Sequence, residues 1–139
     1  MASRDSSAPA WRLADLYFAR TAMNEITIYH NPKCSKSRET LALLKARGVA
    51  PRIIDYLKTP PTEAELRAIV GKLGIQAGQL VRKGEDIYKA KYAGRTLTEA
   101  QWIAAMVSNP ILIERPIVVR GAKAVIGRPP EGVLALVDP

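Results

Sequence analysis

Residues 26–48 read "ITIYHNPKCSKSRETLALLKARG", and the reading of this stretch decides the architecture. Its first part, residues 26–29, is β-branched and aromatic, which predicts a short strand. From Ser35 the pattern changes to helical: Leu41 and Leu44 share a face, Glu39 comes early, Lys45 and Arg47 come late, and Gly48 serves as a C-cap. The joint between the two carries the only cysteine, Cys34, and the only histidine, His30. A strand followed at once by a helix opens a βαβ unit, and "PRIIDYL" (51–57) supplies the second strand.

Downstream, "TPPTEAELRAIVGKLG" holds a capping box at Thr62 and Glu65. Leu66, Ile69, Val70 and Leu73 then follow at i, i+3, i+4, i+7, predicting a helix. Residues 75–96 read as short helical pieces. A second capping box, Thr98 with Gln101, starts a helix that Asn109-Pro110 ends, with Leu97 and Trp102 in staple positions. "PIVVRGAKAVIG" reads as a hairpin with Gly121 at the first central position of a two-residue turn. A short helix over 130–137 closes the chain. The order is β-α-β, a helical insertion, then β-β-α. It predicts an α/β domain with a mixed sheet, the order of the thioredoxin fold.

This domain is expected over residues 25–139. Residues 1–24 read as a flexible extension: "SRDSSAPA" is small and polar, and "WRLADLYFARTAM" could form one short amphipathic helix. Met23, directly before the first strand, is the candidate natural start, which would make the upstream one over-long.

A chain of 139 residues with 47% hydrophobic residues suffices for one domain with its own core. It lacks the apolar run of a transmembrane span or a secretory signal. A single cysteine excludes an internal disulfide and fits the reducing cytoplasm. The formal charge of +8 attracts anions, but the basic residues are dispersed. That argues against a nucleic-acid-binding tail and leaves a small oxyanion as the alternative partner.

Cys34 stands where a strand gives way to a helix, so free backbone N–H groups and the positive end of the helix dipole favour its thiolate. Lys33, Lys36 and Arg38 add nearby positive charge. At an unperturbed pKa near 8.5 only a few per cent is thiolate at pH 7, whereas a value near 6.5 makes it roughly three quarters. The competing reading is a buried structural thiol. His30 could stabilise the thiolate, or could be a strand-end histidine bonded to backbone. One Cys and one His do not make a tetrahedral metal set, and papain-like proteases bring their histidine from far along the chain. Cys34-Ser35-Lys36-Ser37 is a CxxS motif. Ser37 cannot resolve a mixed disulfide, but its hydroxyl can donate to the thiolate or simply satisfy first-turn backbone.

"ITIYHNPKCSKSRETL" resembles the opening of the glutaredoxin-linked arsenate reductases of the ArsC type, in particular their short bacterial relatives. "DYLKTPPTEAEL", "LVRKGEDIYK", "NPILIERPIVV" and "IGRPPEGVLALV" follow in the same order, so the resemblance runs from about residue 25 to the end. It implies a thioredoxin-like fold with a catalytic Cys34 and three oxyanion-binding arginines, Arg82, Arg115 and Arg128. Guanidinium forks suit a tetrahedral oxyanion with several acceptor oxygens. The resemblance also implies a cis bond before Pro116, against the alternative of a trans proline at a strand's first residue. It further implies arsenate or a similar oxyanion as substrate, no bound cofactor, glutathione as co-substrate and glutaredoxin as partner. Two alternatives stand beside it: a general glutathione-linked thiol reductase without arsenate specificity, and a regulator like Spx that binds RNA polymerase.

Overall fold

A computed structural model of the chain describes residues 25–137. The expected N-terminal extension and start site lie outside the described residues. Strand β1 (Ile26–His30) leads into helix α1 (Ser35–Ala46), and β2 (Arg52–Asp55) completes the βαβ unit. The insertion comprises α2 (Glu63–Leu73), a 3-10 turn at Ala77–Leu80, α3 (Asp86–Lys91) and α4 (Glu99–Ser108). After a 3-10 turn at Pro110–Leu112 come β3 (Ile117–Arg120) and β4 (Lys123–Ile126). The closing helix begins as a 3-10 turn, Pro130–Val133, and ends as α5 (Leu134–Val137).

The sheet order is β2-β1-β3-β4. β1 and β2 are parallel, with His30 opposite Asp55, while β3 runs antiparallel to both β1 and β4. This is the mixed, thioredoxin-like sheet expected from the order of elements. Because strand side chains alternate between faces, β1 and β3 serve two cores. Ile26, Ile28 and Val118 pack with Leu44 of α1 and with Val133 and Leu136. Ile117 on the other face joins Leu66, Ile69, Ile103 and Met106, with Tyr29 and Val119 packed alongside.

The local signals behave as their chemistry requires. Both capping boxes form, Thr62 with Glu65 and Thr98 with Gln101, each side chain satisfying the other's backbone N–H. The hairpin turn has Gly121 at φ +59° and no positive φ at Ala122, the pattern of a type II′ turn.

One boundary differs from expectation. β2 stops at Asp55, leaving Tyr56 and Leu57 outside the strand. The reason is local. The Asp55 carbonyl accepts from Lys58 N and Thr59 N at 3.0 and 2.8 Å, and its carboxylate accepts from Leu57 N at 3.3 Å. This Asx-type turn diverts the chain just beyond the sheet. Tyr56 consequently turns inward, to 1% exposure.

Candidate active site

Cys34 is the N-cap of α1, with extended backbone (φ −94°, ψ 124°). The loop before it is closed by its own backbone. Cys34 N donates to Asn31 O at 3.0 Å, and Lys33 N donates to Asn31 Oδ1 at 3.0 Å. The thiol is partly exposed. Burial alone would push its pKa up, but the Ser37 backbone N–H, the Arg115 side chain and the Lys36 backbone N–H outweigh burial and hold it below its ordinary value.

Two of the cations adjacent in sequence are engaged elsewhere. Arg38 Nη1 donates to Pro32 O at 3.0 Å, and Lys36 Nζ pairs with Glu39 at 3.5 Å on the surface. What favours the thiolate is therefore the free helix end together with a guanidinium from a distant segment.

His30 and Ser37 are given to each other. His30 Nδ1 and Ser37 Oγ are 2.6 Å apart and buried, and Asn31 N donates to the same hydroxyl at 3.0 Å. Burial lowers the His30 pKa; Lys45 and Arg38 add to this, and Asp55 opposes it. The Ser37 hydroxyl is thus held by the His30 ring and the Asn31 N–H. Ser37 reaches the sulfur through its backbone instead. The His30–Ser37 bond ties the end of β1 to the first turn of α1, and so fixes the loop that carries Cys34.

The three arginines come together through backbone pairing that links three segments. Val81 and Ile113 form an isolated antiparallel bridge, flanked by Arg82 N to Leu112 O at 2.7 Å and Glu114 N to Leu80 O at 2.9 Å. Arg82 thus lies beside Glu114. Beyond the β3–β4 ladder, Gly127 N donates to Pro116 O at 2.9 Å, which brings Arg128 beside Arg115. Arg128 Nε then donates to Arg115 O at 2.7 Å, and Arg128 Nη2 lies 3.3 Å from Cys34 Sγ. Arg128 makes that direct contact, whereas Arg115, more buried at 9% exposure, weighs more on the thiol's ionisation. The Arg115–Pro116 bond is cis, and so is Arg128–Pro129, which the sequence reading did not anticipate.

Two carboxylates hold the arginines in place. Glu114 Oε1 accepts from Arg82 Nη1 at 2.7 Å and pairs with Arg128 Nε at 3.0 Å. Glu85 Oε1 accepts from Arg82 Nε at 3.1 Å and from Arg115 Nη1 at 3.5 Å. Three guanidiniums against two carboxylates leave the cluster with one excess positive charge. These anchors escaped the sequence reading; Glu114, adjacent to Arg115, offered a signal for one of them. A preorganised fork cluster beside a thiolate can bind a tetrahedral oxyanion and present its central atom to sulfur. Among the described residues no group of acidic, histidine and cysteine side chains has the makings of a metal site.

Comparison with known proteins gives a consistent set of likenesses. The model of the ArsC family matches residues 29–136. The uncharacterized protein YfgD of Escherichia coli K12 is 54% identical over 115 residues, covering 81% of this chain and 97% of that protein. An arsenate reductase of Haemophilus influenzae is 47% identical over 113 residues, covering 80% and 97%. The solved structure of an arsenate reductase from Vibrio cholerae superposes with a TM-score of 0.78 at 48% identity, covering 81% of this chain and 97% of that one.

Proposed function

The chain belongs to the ArsC family, and from that premise we propose that it reduces arsenate to arsenite through Cys34, with glutathione and glutaredoxin as external reductants in the cytosol. The observation that carries the reading is the 3.3 Å approach of Arg128 to the Cys34 sulfur, within a set of arginines braced by shared carboxylates.

Arg82, Arg115 and Arg128 hold the arsenate oxygens. The Cys34 thiolate attacks arsenic, and an oxygen leaves as water after taking up protons, which gives a Cys34–S–As(V) adduct. A glutathione thiolate then attacks the Cys34 sulfur. The S–As electron pair passes to arsenic, arsenite departs as As(III), and a Cys34–glutathione disulfide forms. Ser37 supplies no second thiol, so glutaredoxin takes up the glutathionyl group and frees Cys34.

The test is an assay coupled through glutathione, glutaredoxin and NADPH. Arsenate-dependent NADPH oxidation, lost in Cys34→Ser, is the expected result. Full-rate consumption without arsenate, or undiminished activity in Cys34→Ser, would overturn the proposal. Arg82→Ala, Arg115→Ala and Arg128→Ala should each raise the KM for arsenate strongly while scarcely affecting reduction of a neutral mixed disulfide. Equal effects on both substrates would point to a general thiol reductase.

A further inference from the structure

Tyr56 lies one residue past β2, and the β1–β2 register that sets His30 opposite Asp55 brings it alongside Asn31. Its ring sits in the core with Leu80, Val81, Leu112 and Ile113, on the segments that carry Arg82, Glu114 and Arg115. Two buried side-chain polar atoms have no hydrogen-bond partner among the described residues: the Tyr56 hydroxyl and Arg115 Nε. Both lie on segments that converge on the thiol, Tyr56 just past β2 and Arg115 just before β3, and the phenol feels the charges of Arg115, Arg82 and Cys34. The Asn31 side chain also faces the phenol without meeting hydrogen-bond geometry.

Leaving a buried hydroxyl unpaired costs free energy, and a phenylalanine would fill the same apolar pocket without that cost. An unpaired buried hydroxyl and an unpaired buried guanidinium N–H, both on residues that feel a reactive thiol, have the chemistry of a ligand-binding pair. We propose that Tyr56 is a further substrate-binding residue, its O–H donating to an oxygen of the tetrahedral oxyanion that the three arginines hold. The inference rests on reading this site as an oxyanion site. It adds a neutral, buried donor to the charge that the arginines supply.

Burial pushes the phenol up to about 12, against the opposing pull of Arg115 and Arg82, so the hydroxyl keeps its proton and stays a donor at any working pH. A neutral donor contributes direction without further charge, so it helps select an acceptor oxygen while the arginines supply attraction.

The test measures binding of arsenate by calorimetry in the full chain carrying Cys34→Ser, with and without Tyr56→Phe, together with thermal melting. Removing a hydrogen bond to a charged acceptor should weaken binding about tenfold or more. The melting temperature without anion should stay level or rise, because the variant removes an unpaired buried hydroxyl. In the Cys34-intact protein, Tyr56→Phe should raise the KM for arsenate by a similar factor. Unchanged affinity, or a lowered melting temperature with unchanged affinity, would overturn the inference and assign the hydroxyl to Asn31. Absence of arsenate binding before Tyr56 is altered would overturn both this inference and the proposed function. Tyr56-dependent binding without arsenate turnover would support the inference and count against the proposed reaction alone.

Discussion

Arg128 Nη2 reaches to 3.3 Å of Cys34 Sγ across 94 residues of sequence. The contact is held from behind, because Arg128 Nε also donates to Arg115 O and pairs with Glu114. A guanidinium fixed at several points loses little further entropy when it meets an anion, which is what positioning for catalysis requires.

The first prediction concerns the thiol. Its folded pKa is held below the ordinary thiol value, so alkylation by iodoacetamide should rise with pH to a plateau whose midpoint lies below that of a free cysteine. Arg115→Gln should move the midpoint up. Lys36→Ala should leave it in place, because Lys36 acts on the sulfur through its backbone N–H. A midpoint at the free-thiol value would refute the electrostatic account of Cys34.

Gly127 marks the tightest packing at the site. A Cβ there would lie 2.6 Å from Thr40 Oγ1 and 2.8 Å from Pro116 Cγ. Neither neighbour can retreat freely, since Thr40 bonds the Lys36 carbonyl at 2.8 Å and the proline ring is rigid. Gly127→Ala should destabilise the protein by about 1–3 kcal/mol in urea unfolding. It should also raise the KM for arsenate by displacing Arg128, the next residue. Wild-type stability would show that the loop relaxes without consequence.

His30 makes stability depend on pH. Its folded pKa lies below 6.5, so as pH falls just below 6.5 the unfolded chain binds a proton that the native state still refuses. Stability therefore declines as pH drops from 6.5 through the folded value, and this contribution is complete above 6.5. Urea unfolding at neutral pH and just below 6.5 should show a larger loss in the wild type than in His30→Gln. Equal losses would mean that His30 titrates normally.

The helix caps offer a prediction away from the site. Thr98 Oγ1 accepts from Gln101 N at 3.2 Å, and Gln101 Oε1 accepts from Thr98 N at 2.9 Å. Thr98→Ala should cost about 1 kcal/mol of unfolding free energy. The KM for arsenate should not move, since α4 contributes no site residue. A changed KM would reveal coupling between the insertion and the thiol.

The periodicities and caps of this chain are local properties, which is why the sequence determined the element order, both capping boxes, the Gly121 turn and the placement of Cys34 at a helix start. A helix end needs only its own backbone to favour a thiolate. Other features depend on residues far apart in sequence. No spacing could show that the Val81–Ile113 bridge sets Arg82 beside Glu114, or that the Gly127–Pro116 bond brings Arg128 to Cys34. Sequence proximity even pointed to the wrong cations, because Lys36 and Arg38 bond their own neighbours. That Ser37 Oγ meets the His30 ring, and that Tyr56 leaves the strand for the buried core, was likewise decided by tertiary structure. Each polar group has several possible partners, and only the folded arrangement determines which one it meets at hydrogen-bonding distance and which polar atoms are left for a ligand.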